Sequence, residues 1–308
     1  MFFLQNSLKT MLAASILLAS TIAQANPVAC FNTNMGRFCM ELLERQAPNT
    51  VANFINYIDS GEYAQSIFHR SVPGFVIQGG GFKASSLDND VLISAVTTFD
   101  PVVNEFGLSN TRGTVAMAKL GNDPDSATSQ WFVNLNDNSG APSFLDSQNG
   151  GFTVFAQIIF DGMTVFDTIA ALQIVDSGAP FDNLPAVNYE TSQPFKIDNF
   201  VLVNAVELHD VTGIVSNSAL SFVVETGNNS FYEVRLELIA VQPKIVFELD
   251  TTSVTAVPDG ATNMATFSAQ NRTLLIPSVM INETTTVNNV TLSLTDPANL
   301  QFTLVSFE

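Results

Sequence analysis

The feature that most constrains how this chain can fold is an alternation of apolar and polar residues, with a period of two, through its last third. Val234, Leu236 and Leu238 alternate with polar neighbours and are followed by Phe247 and Leu249. The same spacing returns in Val290, Leu292 and Leu294, followed by Phe302 and Leu304. Successive side chains point to opposite faces of a strand, so this pattern buries one face of a sheet and gives a helix no continuous stripe. The duplication predicts two related strand pairs in a β-sandwich-like domain spanning residues 205–308. That segment is rich in Val, Thr, Ser and Asn, contains no Cys or Trp, and has His209 as its one histidine. Nothing in it suggests chemistry, so a role in binding partners or in localisation is what it is expected to supply.

Residues 26–204 read differently. A helix is predicted from Pro48, which suits a first turn, through Val51, Phe54, Ile55 and Ile58 to Gly61. A second runs over 163–173 with Val165, Phe166, Ile169 and Leu172 on one face. Between them lie short strand-like runs at 75–78, 114–118, 130–135 and 153–159, separated by turn residues. An antiparallel barrel with helices over its ends accounts for this order, making the chain mainly β.

The first 25 residues read as a processing signal: Lys9, an apolar stretch from Met11 to Ile22, then Ala23-Gln24-Ala25. Cleavage after Ala25 is expected, leaving a periplasmic or secreted protein without a membrane span, the apolar stretch being too short for one. An oxidising compartment permits a disulfide between Cys30 and Cys39, the two cysteines of the chain. A hairpin centred between Asn34 and Met35 sets them opposite each other, and either a bridge or two buried thiols fits that register. The formal net charge is −18. Residues 26–204 carry 7 Lys/Arg against 18 Asp/Glu and residues 205–308 carry 3 against 11, so nucleic acid and anionic membranes are poor partners.

Several chemistries are disfavoured. Two histidines and two early cysteines do not make an ordinary zinc site. No Gly-x-Ser-x-Gly elbow is present, and Gly79-Gly80-Gly81 is not followed by Lys-Ser/Thr. That glycine run reads instead as a strand end where backbone passes close to backbone.

Three blocks carry the functional signal: residues 68–82 (Phe-His-Arg-Ser-Val-Pro-Gly-Phe-Val-Ile-Gln-Gly-Gly-Gly-Phe), residues 110–118 with 129–133, and Phe144-Leu145-Asp146 with residues 152–155. In order and spacing they resemble the cyclophilin family of peptidyl-prolyl cis–trans isomerases, over about residues 28–204, and the short first hairpin resembles its exported bacterial branch. The resemblance implies a cyclophilin-like antiparallel β-barrel capped by two helices, no cofactor or metal, and proline-containing unfolded or exported polypeptides as partners. It assigns catalytic roles to Arg70, Gln78 and Phe132. Substrate contacts fall to Phe75, Val76, Ala118, Lys119, Gln130, Phe144, Leu145 and Phe152, and His69 becomes supporting structure.

Three positions depart from the family's common pattern. Phe144 stands where many eukaryotic relatives have tryptophan, which implies weak inhibition by cyclosporin. Val76 replaces the commoner methionine, and Phe152 a histidine or tyrosine. The competing readings are a peptide-binding chaperone that keeps the groove, and a scaffold or adhesion module with little isomerase activity. An intact Arg70 favours the enzyme, since mere binding has no need of its guanidinium.

Overall fold

In the computed structural model, which describes residues 26–87, 90–227, 229–257 and 263–308, the first hairpin forms in the predicted register. Strand β1 (Val28–Thr33) pairs with β2 (Gly36–Leu42), Cys30 faces Cys39, and the two are joined by a disulfide. The proposed processing signal, residues 1–25, lies outside the described residues.

Helix α1 (Pro48–Asp59) follows with Pro48 in its first turn and buries Val51, Phe54 and Tyr57. Then come β3 (Arg70–Val72), β4 (Val76–Gly79), the β5–β6 hairpin (Phe82–Leu87 and Asp90–Ala95), β7 (Thr114–Met117), β8 (Trp131–Asn134) and β9 (Val154–Ile159). Helix α2 (Met163–Ala170), a small β10–β11 pair (Gln173–Val175 and Leu184–Ala186) and β12 (Val203–His209) complete this part. The main sheet has the order β12-β1-β2-β9-β7-β8-β4-β3, antiparallel throughout. Just before β3 and β12 the edges meet. Ile67 bridges Leu202, Gln65 N–H donates to Val203 O (2.7 Å), and Phe68 N–H donates to Val201 O (3.1 Å). That seam closes the sheet into a barrel, filled by Phe31, Phe38, Phe54, Phe68, Trp131, Phe155 and Phe166.

The division expected after Asn204 falls inside a strand. β12 runs to His209 and pairs with β1 along Val28↔His209, so the first sheet claims residues beyond the shift in composition. The alternation that marked 205–208 as part of the second domain is equally an edge strand of the first.

The second sheet comprises β13 (Gly213–Ser216), β14 (Ala219–Glu225), β15 (Phe231–Ala240), β16 (Val246–Leu249), β17 (Thr255–Val257), β18 (Ala265–Ser268), β19 (Thr273–Asn282), β20 (Thr285–Asp296) and β21 (Gln301–Ser306). The duplicated pattern forms two hairpins, β15–β16 and β20–β21, which adjoin through β16–β21. The two packed faces expected of a sandwich belong to one sheet that closes on itself, through β14–β15, β14–β18 and β13–β19. Leu236, Ile276, Leu292 and Phe302 point into it. No helix among the described residues is long and apolar enough to cross a membrane.

The two barrels share a seam. Val28, Cys30, Cys39 and Ile159 of the first form one buried cluster with Val211, Ile214 and Met280 beyond it. Arg37 Nε donates to Glu283 O (3.1 Å), and Arg45 pairs with Glu233. Beside this pair, Glu41 accepts a hydrogen bond from Asn26 Nδ2 (2.8 Å). Burial pushes the Glu41 carboxyl above its usual 4.5; the Asn26 bond opposes this, Glu233 adds to it and Arg45 opposes it. A carboxyl with a raised folded-state pKa holds its proton more tightly when folded, so stability falls as pH rises through 4.5 and beyond. Glu41→Gln is therefore expected to melt higher than wild type at pH 7 and level with it at pH 4. Thermal melts showing no difference at pH 7 would remove the burial cost.

Candidate active site

The site is a row of directly opposed residues across four strands. Arg70 on β3 faces Gln78 on β4, Gln78 faces Phe132 on β8, and Phe132 faces Ala116 on β7. Opposed residues share a face of a sheet. Their sequence neighbours Ile77, Val115, Trp131 and Val133 point the other way, into the barrel core. Period-two alternation thus puts a guanidinium, an amide and an aromatic ring in line on the barrel's outer surface.

Around Phe132 an apolar cluster contains Val76, Ala116, Leu145 and Val154, with Phe75, Ala118, Phe152 and Leu43 packed against it. Phe152 meets Phe132 edge-on, ring centroids 5.7 Å apart. Arg70 is partly buried, with Cζ 5.9 Å from the centre of the Phe75 ring. Among the described residues its guanidinium makes no ion pair and no side-chain hydrogen bond. Gln78 Nε2 donates to Gln130 Oε1 (2.8 Å), which holds both amides beside the arginine's row.

Of the residues expected at the site, the structure brings together Arg70, Phe75, Val76, Gln78, Ala118, Gln130, Phe132, Leu145 and Phe152. Lys119 is committed elsewhere. Its ammonium donates to Asn104 Oδ1 (3.1 Å), Asn149 O (2.9 Å) and Gly151 O (2.7 Å), and lies 4.9 Å from the centre of the Phe152 ring. Burial lowers its pKa. The side chain therefore staples the 149–151 loop beside the Phe152 ring instead of standing free in the groove. Phe144 is 49% exposed, has φ 53°, and stands outside the apolar cluster.

His69 is buried, and its Nδ1 has no side-chain hydrogen-bond partner among the described residues. Burial, with the neighbouring Arg70 charge second, lowers its pKa to about 4 against a hydrogen bond to Ile67. It is neutral at pH 7 and suited to structural support. Because the unfolded chain binds this proton more readily, stability is complete above pH 6.5 and lost as pH falls toward 4, by up to about 3 kcal/mol. His69→Gln is expected to flatten denaturation free energies between pH 6.5 and 4.5. An unchanged slope would mean that the imidazole is not buried neutral.

Sequence reasoning missed the groove's supports. Ala116 and Val154 floor the apolar cluster, and the alternation within β7 and β9 carried that signal. Beneath them lies a buried amide network. Asn138 Nδ2 donates to Phe75 O (2.9 Å) and Asn134 Oδ1 (2.8 Å), Asn134 Nδ2 to Asn110 Oδ1 (3.2 Å), and Asn110 Nδ2 to Phe152 O (3.0 Å). These bonds fix the backbones that carry two groove rings. No local signal announces them, since asparagine in a polar stretch reads as loop.

The sequence profile of the family described as "Cyclophilin type peptidyl-prolyl cis-trans isomerase/CLD" matches residues 28–199. A "Peptidyl-prolyl cis-trans isomerase" of Acinetobacter baylyi is 40% identical over 185 residues, covering 59% of this chain and 88% of its own. "Peptidyl-prolyl cis-trans isomerase B" of Escherichia coli is 41% identical over 151 residues, 48% of this chain and 87% of its own. The crystal structure of a cyclophilin-type isomerase from Cryptosporidium parvum aligns with 60% of this chain and 98% of its own, at 23% identity and a TM-score of 0.42. The row of Arg70, Gln78 and Phe132 thus lies within the region matched by the profile, and the chain belongs to the cyclophilin-type peptidyl-prolyl cis–trans isomerase family.

Proposed function

We propose that this chain accelerates isomerisation of X–Pro bonds in exported polypeptides by non-covalent stabilisation of the twisted amide, with Arg70 as its central group. Amide resonance sets a barrier of roughly 18–20 kcal/mol to this rotation. Lowering it requires neither nucleophile nor metal. The proline ring sits against Phe75, Val76, Phe132 and Leu145, apolar walls that ask for no hydrogen bond. Twisting the amide breaks its resonance and returns a lone pair to nitrogen. A guanidinium donating toward that nitrogen favours the twisted state over both planar ones, which is binding selective for the transition state. Gln78 and Gln130 hold the polar edge of the groove. The single observation that carries this reading is a guanidinium that, among the described residues, makes no ion pair and no side-chain hydrogen bond and lies beside an apolar pocket wall.

Export is supported by the apolar stretch and Ala23-Gln24-Ala25 ahead of Asn26, and by the Cys30–Cys39 disulfide, which suits an oxidising compartment. Two measurements test the reading. Protein beginning at Asn26 is expected to accelerate cis-to-trans conversion of a short X–Pro peptide, and cell fractionation is expected to find that form outside the cytoplasm. No acceleration by folded protein would shift the groove's role to binding alone.

A further inference from the structure

The β5–β6 hairpin leaves one edge of its sheet open. β6 pairs with β5 alone, in a register that opposes Lys83 to Ser94, Ser85 to Leu92 and Leu87 to Asp90. On the far side of β5, Ala84 N–H donates to Gln65 O (3.1 Å) and Phe82 O accepts from Ile67 N–H (2.9 Å). Backbone groups alternate in direction along an antiparallel strand, so Lys83, Ser85 and Leu87 turn theirs toward β6 and engage Ser94, Leu92 and Asp90. Val96 N–H, donating to Gly81 O (3.0 Å), continues that ladder. The N–H and C=O groups of Val91, Ile93 and Ala95 therefore point out of the sheet, and none has a hydrogen-bond partner among the described residues.

Nothing on this edge discourages pairing. Natural edge strands are guarded by lysine, proline or a bulge. Residues 91–95 read Val-Leu-Ile-Ser-Ala, without charge or proline, and keep an unbroken register against β5. Leu92 is 47% exposed on one face of the hairpin and Ile93 is 38% exposed on the other. Leu87, also exposed, lies diagonal to Leu92 on the same face. A strand laid along β6 gains main-chain hydrogen bonds and apolar contact on both faces, the two components of recognition by strand addition.

The hairpin springs from the rim of the groove, and that decides what its edge takes up. At its base Gly81 presses against a groove residue: a Cβ at 81 would lie 2.8 Å from Gln130 Cδ. The Phe82 ring meets the ring of His69, the neighbour of Arg70, with centroids 5.0 Å apart. A polypeptide whose proline lies in the groove therefore has its flanking residues within reach of the open edge. The second contact is then intramolecular, and a short strand suffices to hold it. A second copy of this chain lacks that advantage. Each copy carries a net charge of −18, which sets copies against each other. A six-residue strand also supplies only part of the roughly 800 Å² per partner that stable interfaces bury.

We propose that β6 binds an extended apolar segment of the same polypeptide whose X–Pro bond lies beside Arg70, pairing with it through Val91, Ile93 and Ala95; the proposal rests on the groove reading above. The test uses protein beginning at Asn26 and fluorescently labelled peptides. The first is a four-residue Ala-Pro peptide. Two more carry Val-Thr-Val-Thr-Val-Thr, joined through four Gly/Ser residues ahead of the proline or after it, and a fourth has Gly/Ser in place of the Val-Thr segment. Anisotropy titrations give affinities, and isomerisation is followed on the same peptides. At least one Val-Thr peptide is expected to bind about tenfold tighter than its Gly/Ser counterpart. Ile93→Pro removes an outward N–H while leaving the β5 ladder intact, a placement edge strands tolerate. It should abolish that preference, as should Leu92→Lys, with turnover of the four-residue peptide within twofold of wild type. Melting curves confirm that each variant is folded. Equal binding of all extended peptides to folded wild-type protein overturns the proposal, as does a preference that survives both variants. A preference lost with β6 but unaccompanied by turnover of any peptide supports strand addition and overturns the isomerase reading alone. A dimer that Ile93→Pro dissolves, with no preference among the peptides, overturns the proposal in favour of a second copy.

Discussion

Replacing Arg70 with alanine should lower kcat/KM for an X–Pro peptide by about 10²–10³ while leaving the melting temperature where it was. The magnitude follows from what one preorganised donor contributes to a developing charge at a shielded site. Stability is spared because the guanidinium has no ion pair and no side-chain hydrogen bond to lose among the described residues; only its contact with the Phe75 ring goes. Arg70→Lys should recover less than a tenth of the lost activity. An ammonium on a flexible stem keeps the charge but not the planar, multi-donor fork. Turnover by Arg70→Ala within tenfold of wild type, with the fold intact, would show that the apolar pocket alone does the work.

The largest loss of stability is expected from Gly80→Ala, on the order of 3 kcal/mol or more, which for a protein of this size lowers the melting temperature by roughly 10 °C. Gly80 has φ +75°, and a Cβ there would lie 2.5 Å from Ser129 O and 2.8 Å from the Trp131 ring. One neighbour is backbone and the other a wholly buried ring, so neither can step aside. Denaturant melts are the measure. A variant within 1 kcal/mol of wild type would mean that the β4–β8 approach is looser than its geometry.

How much of this was readable from sequence depended on how local each feature is. Hairpin register, helix α1 and the alternation of β15, β16, β20 and β21 are properties of a few adjacent residues, and each formed where expected. The groove was legible because three blocks in fixed order resemble a family; without that, Arg70 is one of eleven cations in an acidic chain. What sequence did not disclose depends on distant partners. β12 belongs to the first sheet because it pairs with β1, some 175 residues away, and its own composition matches the second. The Asn110–Asn134–Asn138 network and the commitment of Lys119 to the 149–151 loop rest on contacts that periodicity does not encode. Whether two β-faces come from two sheets or from one closed sheet is decided by β13–β19, β14–β15 and β14–β18, none of which alternation can specify.

The first barrel shares its surface with the second along the β1–β2 hairpin. The apolar seam around the Cys30–Cys39 hairpin is dry only while Val211, Ile214 and Met280 cover it, and just three residues separate β12 from β13. The second barrel is therefore packed against the first through buried apolar side chains as well as joined to it by a short connection. Severed after Asn204, the first sheet would lose most of an edge strand; severed after His209, it would present a greasy face to water. The shared seam, with its buried apolar cluster, the Arg37–Glu283 bond and the Arg45–Glu233 pair, ties the second barrel to the β1–β2 hairpin, on strands other than those that carry Arg70, Gln78 and Phe132.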